Sequence, residues 1–225
     1  MDGVVFLLDC DNTLLDNDLV QADLRRHLAA EYGAASRDRY WSIFEERRAE
    51  LGYADYLGAL QRYRDVVPDD TRILLMSSFL LDYPFADRLY PAALDVVGHL
   101  GQWGPTVILT DGDVVFQPRK LQRSGLWDAV EGRVLVTLHK QLALKTVANR
   151  YPARHYVMVD DKLRLLDAIK QQWADRVTTV FPRQGHYALD PKNLDTYPPA
   201  DLTVERIGDL LRRNFSDLPG AAPIP

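Results

Sequence analysis

The chain has a single cysteine, Cys10, among its 225 residues. That excludes an intramolecular disulfide and fits a reducing compartment such as the cytoplasm. It has no basic block either: Lys and Arg number 27 against 32 Asp and Glu, a net charge of −5. Nothing in that balance marks a nucleic-acid surface. No apolar run approaches the ~20 residues of a membrane-spanning helix. An acid, Asp2, stands at the start where a signal peptide would carry basic residues, so no such leader is expected. The length suffices for one large domain, or for a domain with an insertion, to bury a real core. Nothing in the sequence indicates an oligomeric state.

What the chain does have begins at once. Val4-Val5-Phe6-Leu7-Leu8 is a short continuous apolar run, and it ends in Asp9-Cys10-Asp11-Asn12-Thr13. Such a run reads as a strand buried on both faces, as in a parallel sheet. Asp and Asn after a strand can form a simple turn. In open α/β sheets, however, reactive groups gather where strands end, and that is where Asp9 and Asp11 fall.

From Asn17 to Asp87 the pattern is only helical. Asp16-Asn17-Asp18 caps a helix starting near Leu19, in which Leu24, Leu28 and Tyr32 recur and which Gly33 stops. Tyr40, Ile43, Phe44 and Leu51 predict a second helix ended by Gly52, and Tyr56, Leu57, Leu60 and Tyr63 a third. Ile73 to Leu80 predict a fourth, entered after Pro68-Asp69-Asp70. Helices without strands make a compact insertion rather than a βαβ unit. Strand and helix then alternate. Pro91 is expected as the first residue of a helix closed by Gly101, and Thr106 to Leu109 form a strand ending at Thr110-Asp111-Gly112-Asp113. Pro118 is expected to open a helix that stops at Gly125. Val134 to Leu138 form a strand ending at His139-Lys140, Leu142 to Tyr151 a helix, and Tyr156 to Val159 a strand ending at Asp160-Asp161. A helix through Leu165, Leu166 and Ile169, a strand over Val177 to Phe181 and a short strand and helix over Leu202 to Arg213 complete the pattern. From Ser216 a Pro-, Gly- and Ala-rich tail is expected to be loose. The fold class expected is α/β: a doubly wound parallel sheet over residues 1–16 and 88–215, with an all-helical insertion over 17–87 and a tail over 216–225.

Folding a parallel sheet brings Asp9, Asp11, Thr110, Lys140, Asp160 and Asp161 to one edge. Several carboxylates together repel unless a cation sits among them, and oxygen-only ligation favours a hard ion, Mg²⁺. A lysine and a hydroxyl beside such a site suit a phosphoryl group. Asp9 is the candidate nucleophile, forming an aspartyl-phosphate, and Asp11 the candidate acid and base. That division asks for a raised pKa at Asp11 and an ionised Asp9. Thr110 would donate to a phosphoryl oxygen, although a strand-end Thr also serves a turn.

Asp9-Cys10-Asp11-Asn12-Thr13 resembles the DxDxT signature of the haloacid dehalogenase superfamily. Leu109-Thr110-Asp111-Gly112 resembles its second motif, Lys140 its third and Val159-Asp160-Asp161 its acidic fourth. The resemblance runs in the family's order to about residue 181. It implies a Rossmann-like core with a helical cap inserted between the first two motifs, at 17–87. It implies Asp9 as nucleophile, Asp11 as acid and base, and Thr110, Asp111 and Lys140 around the phosphate. Asp160 and Asp161 would then be Mg²⁺ ligands, joined by Asp9 and by the main-chain carbonyl of Asp11. The activity implied is Mg²⁺-dependent hydrolysis of a small phosphorylated metabolite, with no nucleic acid or membrane as partner. A phosphomutase of the superfamily is the alternative, although its first motif usually has Gly where Asn12 stands. A dehalogenase usually has an aromatic residue in place of Asp11. A receiver-like signalling domain places its acids differently along the chain and lacks so large an insertion, and an inactive binding homologue would not need the intact acids.

The sequence also departs from the pattern. Gln141 replaces a common proline and the stretch from Lys140 to Asp160 is short, which leaves Lys145 as a rival to Lys140 and Lys120, inside a predicted helix, as a weaker one. Lys162 stands where Ser or Thr is common, and Asp111 where Asn is. In the cap, Arg47, Arg48, Tyr53 and Tyr56 could meet substrate or could equally be solvated and packing residues. His186 reads as structural.

Overall fold

The computed structural model describes residues 3–221, without the side chains of Thr71 and Leu74. Strands β1 (Val4–Leu8), β2 (Thr106–Asp111), β3 (Val134–Thr137), β4 (His155–Val159), β5 (Val177–Pro182) and β6 (Leu202–Val204) form one sheet in the order β3-β2-β1-β4-β5-β6. Every neighbouring pair is parallel. The α/β doubly wound expectation holds, with β1 in the middle.

Both faces of β1 are buried, which is why its sequence is continuously apolar rather than alternating. Val4, Phe6 and Leu8 enter one core, while Val5 and Leu7 enter the other. Behind the second face, α8 (Leu144–Arg150) and α9 (Leu163–Trp173) contribute Leu144, Val147, Leu166 and Ile169, and Trp173 stacks on Tyr156 with centroids 4.2 Å apart. The first face packs α5 (Ala93–Gly101) and α6 (Phe116–Ser124), with the short α7 (Leu126–Ala129) following on, and its core runs on into the helical segment.

That segment comprises α1 (Asn17–Tyr32), α2 (Ala34–Leu51), α3 (Tyr56–Val66) and α4 (Met76–Asp82). The Asp16 carboxylate accepts from the Leu19 amide as the expected cap of α1, and Gly52 ends α2 in the left-handed conformation. Tyr40, Phe44 and Tyr56 form its aromatic centre, and Tyr56 meets Phe116 of α6 at 5.1 Å. No helix among the described residues is long and apolar enough to cross a membrane.

Several boundaries differ from expectation. The fourth insertion helix is split, with a 3-10 turn over Thr71–Leu75 before α4. Pro91 stays outside α5, because Ala92 has a φ of 65° that interrupts helical geometry. Pro118 is the third residue of α6, still within the first turn, where no amide has an intrahelical acceptor and a proline loses nothing. Strand β2 runs on through Thr110 and Asp111 because Asp111 pairs with Thr137 of β3. α8 starts only at Leu144, the last helix is a 3-10 helix over Ile207–Arg212, and two short helices, α10 (Gly185–Leu189) and α11 (Pro191–Thr196), were not anticipated. The expected loose tail begins after the buried Phe215, whose ring meets Phe6 edge-on at 5.3 Å. Leu218 and Ala221 also pack on the core, and residues 222–225 lie outside the described ones.

Phe6 is fully buried on the central strand. Phe6→Ala is expected to lose about 3–5 kcal/mol of stability, read from the midpoint of a urea titration at unchanged slope. A loss under about 1 kcal/mol would contradict this account of the core.

Candidate active site

The register of the sheet places the acids. Leu8 pairs with Val159, and the Asp9 amide donates to the Val159 carbonyl at 2.9 Å, so Asp9 and Asp160 leave neighbouring strands at the same level. This is the point where strand order reverses, so the connections leave on opposite faces and open a crevice. Leu8 also pairs with Ile108, which brings Thr110 and Asp111 to the same edge.

The loop after β1 is shaped by Asn12, a left-handed residue at φ 62°. Its Oδ1 accepts from the amides of Asn17 at 3.0 Å and Asp18 at 3.2 Å, tying the loop to the start of α1. Gly185, with φ 75°, comes so close that a Cβ there would lie 2.5 Å from the Asn12 Cβ, so the chain after β5 closes over this loop only with glycine. The Thr13 hydroxyl donates to Asp9 Oδ2 at 3.3 Å and accepts from the Asp161 amide at 3.1 Å. It joins the chain after β1 to the chain after β4, a role its place in the motif could have signalled.

Lys140 stands on a 3-10 turn after β3 and is 1 % exposed. Its ammonium donates to Asp9 Oδ1 and, at 2.8 Å, to Asp160 Oδ2. Lys145, the rival, is exposed. One carboxylate oxygen each from Asp9, Asp160 and Asp161 lie within 4.8 Å of one another. Both Asp161 oxygens are buried without a hydrogen-bond partner. A buried ionised group is unfavourable without a partner, so these orphaned oxygens and the all-carboxylate set of candidate ligands fit a hard divalent cation. Burial raises the Asp161 carboxyl well above its ordinary value; Lys162 offsets part of this, and Asp160 and Asp9 add to it. Burial likewise raises Asp9, to about 6, against the pull of Lys140.

Asp11 contributes no carboxylate oxygen to that group. Its side chain turns to α6, where Lys120 Nζ donates to Oδ1 at 2.6 Å and Gln117 Nε2 to Oδ2 at 3.0 Å. Burial alone would raise this carboxyl, but the Lys120 ammonium and the Gln117 amide hold it below the ordinary carboxylate value. The expected order of proton affinities is therefore reversed in the ligand-free protein: Asp9 is raised and Asp11 lowered, because each acid has its own lysine and Asp9 has more buried negative neighbours. Lys120, fully buried, is no rival for the place of Lys140; it serves the other acid. Its spacing of three from Gln117, which puts both on one face of α6, was the overlooked signal.

Thr110 Oγ1 accepts from Gln117 Nε2 at 3.0 Å. Asp111 accepts from the Thr137 hydroxyl at 2.6 Å. An ionised carboxylate offers a phosphoryl oxygen no donor, so any phosphate contact from Asp111 falls to its main chain. Arg47 pairs with Asp55 at 2.5 Å, and Tyr56 is buried with Asn17 donating to its hydroxyl at 3.4 Å, so both are packing residues. Arg48 and Tyr53 line a cavity between the helical segment and the strand ends, whereas His186 Nδ1 lies 2.6 Å from Asp18 at its edge.

The model of the haloacid dehalogenase-like hydrolase family matches residues 4–171. The chain belongs to that family. It is 68% identical to a Burkholderia xenovorans LB400 protein described as a haloacid dehalogenase-like hydrolase, covering 95% of this chain and 100% of that one with a TM-score of 0.92. The HAD-hydrolase YfnB of Bacillus subtilis, bound to magnesium, shares the fold at 16% identity, 94% and 98% coverage and a TM-score of 0.62. So does L-2-haloacid dehalogenase of Xanthobacter autotrophicus, with chloropropionic acid covalently bound, at 19% identity, 94% and 98% coverage and a TM-score of 0.60. No match was found among the curated proteins. The chain is accordingly a hydrolase of this family.

The raised carboxyls make a stability prediction for the metal-free protein. A carboxyl that holds its proton more tightly when folded contributes stability that is fully present below the unfolded value and lost as pH rises through the folded one. In chelator, Asp9→Asn should therefore gain on the parent as pH rises from the ordinary 3.8 through about 6. At neutral pH Asp161→Asn should melt higher than the parent by roughly 2 °C or more. Added Mg²⁺ should raise the melting temperature of the parent but not of Asp161→Asn; equal shifts in both would remove Asp161 from the candidate metal ligands.

Proposed function

We propose that the protein hydrolyses a small phosphomonoester with Mg²⁺, through an aspartyl-phosphate on Asp9. The observation that carries this reading is the second acid: Asp11 stands two residues after Asp9, held by Lys120 and Gln117 and facing the cavity. Displacing a halide needs no proton donor, whereas an alkoxide leaving group does.

Asp9, Asp160 and Asp161 would hold the cation, which would neutralise phosphoryl charge and leave Asp9 ionised. An Asp9 oxygen attacks phosphorus, the ester P–O bond breaks, and the leaving oxygen takes a proton from Asp11. Asp11 then takes a proton from water as that water attacks the phosphorus of the acyl phosphate, releasing inorganic phosphate and restoring Asp9. Lys120 keeps Asp11 ready as a base. The arriving phosphoryl group, negative itself, raises its proton affinity for the acid step. Lys140 orients Asp9 and offsets charge, and Thr110 offers a hydroxyl. The helical segment over the strand ends excludes water from the first step.

The test is phosphate release from a panel of phosphorylated metabolites with and without Mg²⁺. Asp9→Asn should lose at least about 10³-fold, and Asp11→Asn about 10²–10⁴-fold. Release of chloride from 2-chloropropionate with no phosphate from any ester would replace the proposal with dehalogenation. Phosphate moved between positions of one substrate, with little release to water, would replace it with a mutase.

A further inference from the structure

The cavity beside Asp11 has a volume of about 180 Å³ and takes its walls from both halves of the fold: Asn17, Arg48 and Tyr53 from the helical segment, Lys162 and Tyr187 from the sheet side. Its carboxylates are already committed. Asp11 is held by Lys120 and Gln117, and Asp111 by Thr137. Its cations have no such close partner. Lys162 feels the charges of Asp161, Asp9 and Asp160 behind it, but among the described residues no carboxylate forms an ion pair with its side chain. Among the described residues Arg48 has one ion pair, with Glu45 at 3.3 Å on the exposed face of α2, a pairing of little strength in water. The two cations flank one ring: the Arg48 guanidinium carbon lies 5.6 Å and the Lys162 ammonium 4.9 Å from the centre of Tyr187. One comes from the helical segment and the other from the turn after β4. They draw together two like charges on separate elements, an arrangement that an anion between them would stabilise.

We infer that the substrate carries, besides its phosphoryl group, a second anionic group on the leaving side, held between Arg48 and Lys162 beside Tyr187. This deepens the phosphatase reading and rests on it for the identity of the first group. A carboxylate or a second phosphate has the required chemistry, and a guanidinium pairs with either through parallel N–H donors. The anion would bridge the helical segment to the sheet side of the cavity. It also accounts for the lysine at position 162, where the family resemblance leads one to expect a small hydroxyl residue.

The experiment is equilibrium binding by calorimetry, with Mg²⁺ at fixed ionic strength, so that no turnover is needed. The probes are phosphonoacetate and 3-phosphonopropionate, methylenebisphosphonate, and the singly anionic-headed ethylphosphonate and propylphosphonate. The parent protein should bind at least one doubly headed probe about 10-fold tighter than the alkylphosphonates, as expected of one charge-assisted contact. The carboxylate and bisphosphonate arms then identify which second group is preferred. Arg48→Gln and Lys162→Gln, each checked for folding by circular dichroism, should reduce that preference to about 3-fold or less. Equal binding of all probes, no binding of the doubly headed ones, or a preference unchanged in both variants overturns the inference. A preference that depends on Arg48, in a protein that releases phosphate from no ester, leaves the second-anion site standing and removes the phosphatase reading.

Discussion

The site depends on burying negative charge at the end of a sheet. Asp9, Asp160 and Asp161 are all almost fully removed from solvent, and carboxylates in that setting either neutralise or find cations. Lys140 supplies one cation, bridging Asp9 and Asp160 across the β1–β4 pair. It reaches them from the turn after β3, two strands away from β1, so the whole width of that half of the sheet must be in register for the pair to form. The unpartnered oxygens of Asp161 leave the compensation incomplete. The cluster fits a cation and, without one, leaves buried negative charge uncompensated.

The second acid has been separated from this group. Asp11 is only two residues from Asp9, but the tight loop organised by Asn12 turns it to α6, where Lys120 and Gln117 hold it. Two acids of one motif therefore have two lysines and opposite shifts in proton affinity. Lys120 also lies 3.4 Å from Asn17 Oδ1 at the start of α1. The position of Asp11 is thus tied through Lys120 to the helical segment that covers the strand ends.

Much of this was legible in the chain itself. The buried β1, the helical run from Asn17 onward, the α/β alternation and the four strand-end motifs were all apparent because each is a local pattern: apolar periodicity, capping residues, acids after strands. Boundaries failed where a longer-range contact overrode the local signal. Asp111 was expected beyond its strand but pairs with Thr137, and the tail's Leu218 was expected loose but packs on the core. Lys120 was discounted for lying inside a helix, although a helix face is well suited to aim a long side chain at a strand end.

By itself the sequence determined the class of fold, the sheet edge at which the candidate residues meet and the types of group present, since parallel strands must end together and their terminal residues must meet. Only the tertiary structure decided which lysine serves which acid, that Asp11 rather than Asp9 has the lowered proton affinity, that Asp111 faces Thr137, and that Arg48 and Lys162 share one ring. Those outcomes depend on distances between residues tens of positions apart, and on how far each charge is removed from water. Neither quantity is carried by local pattern; both are set by packing.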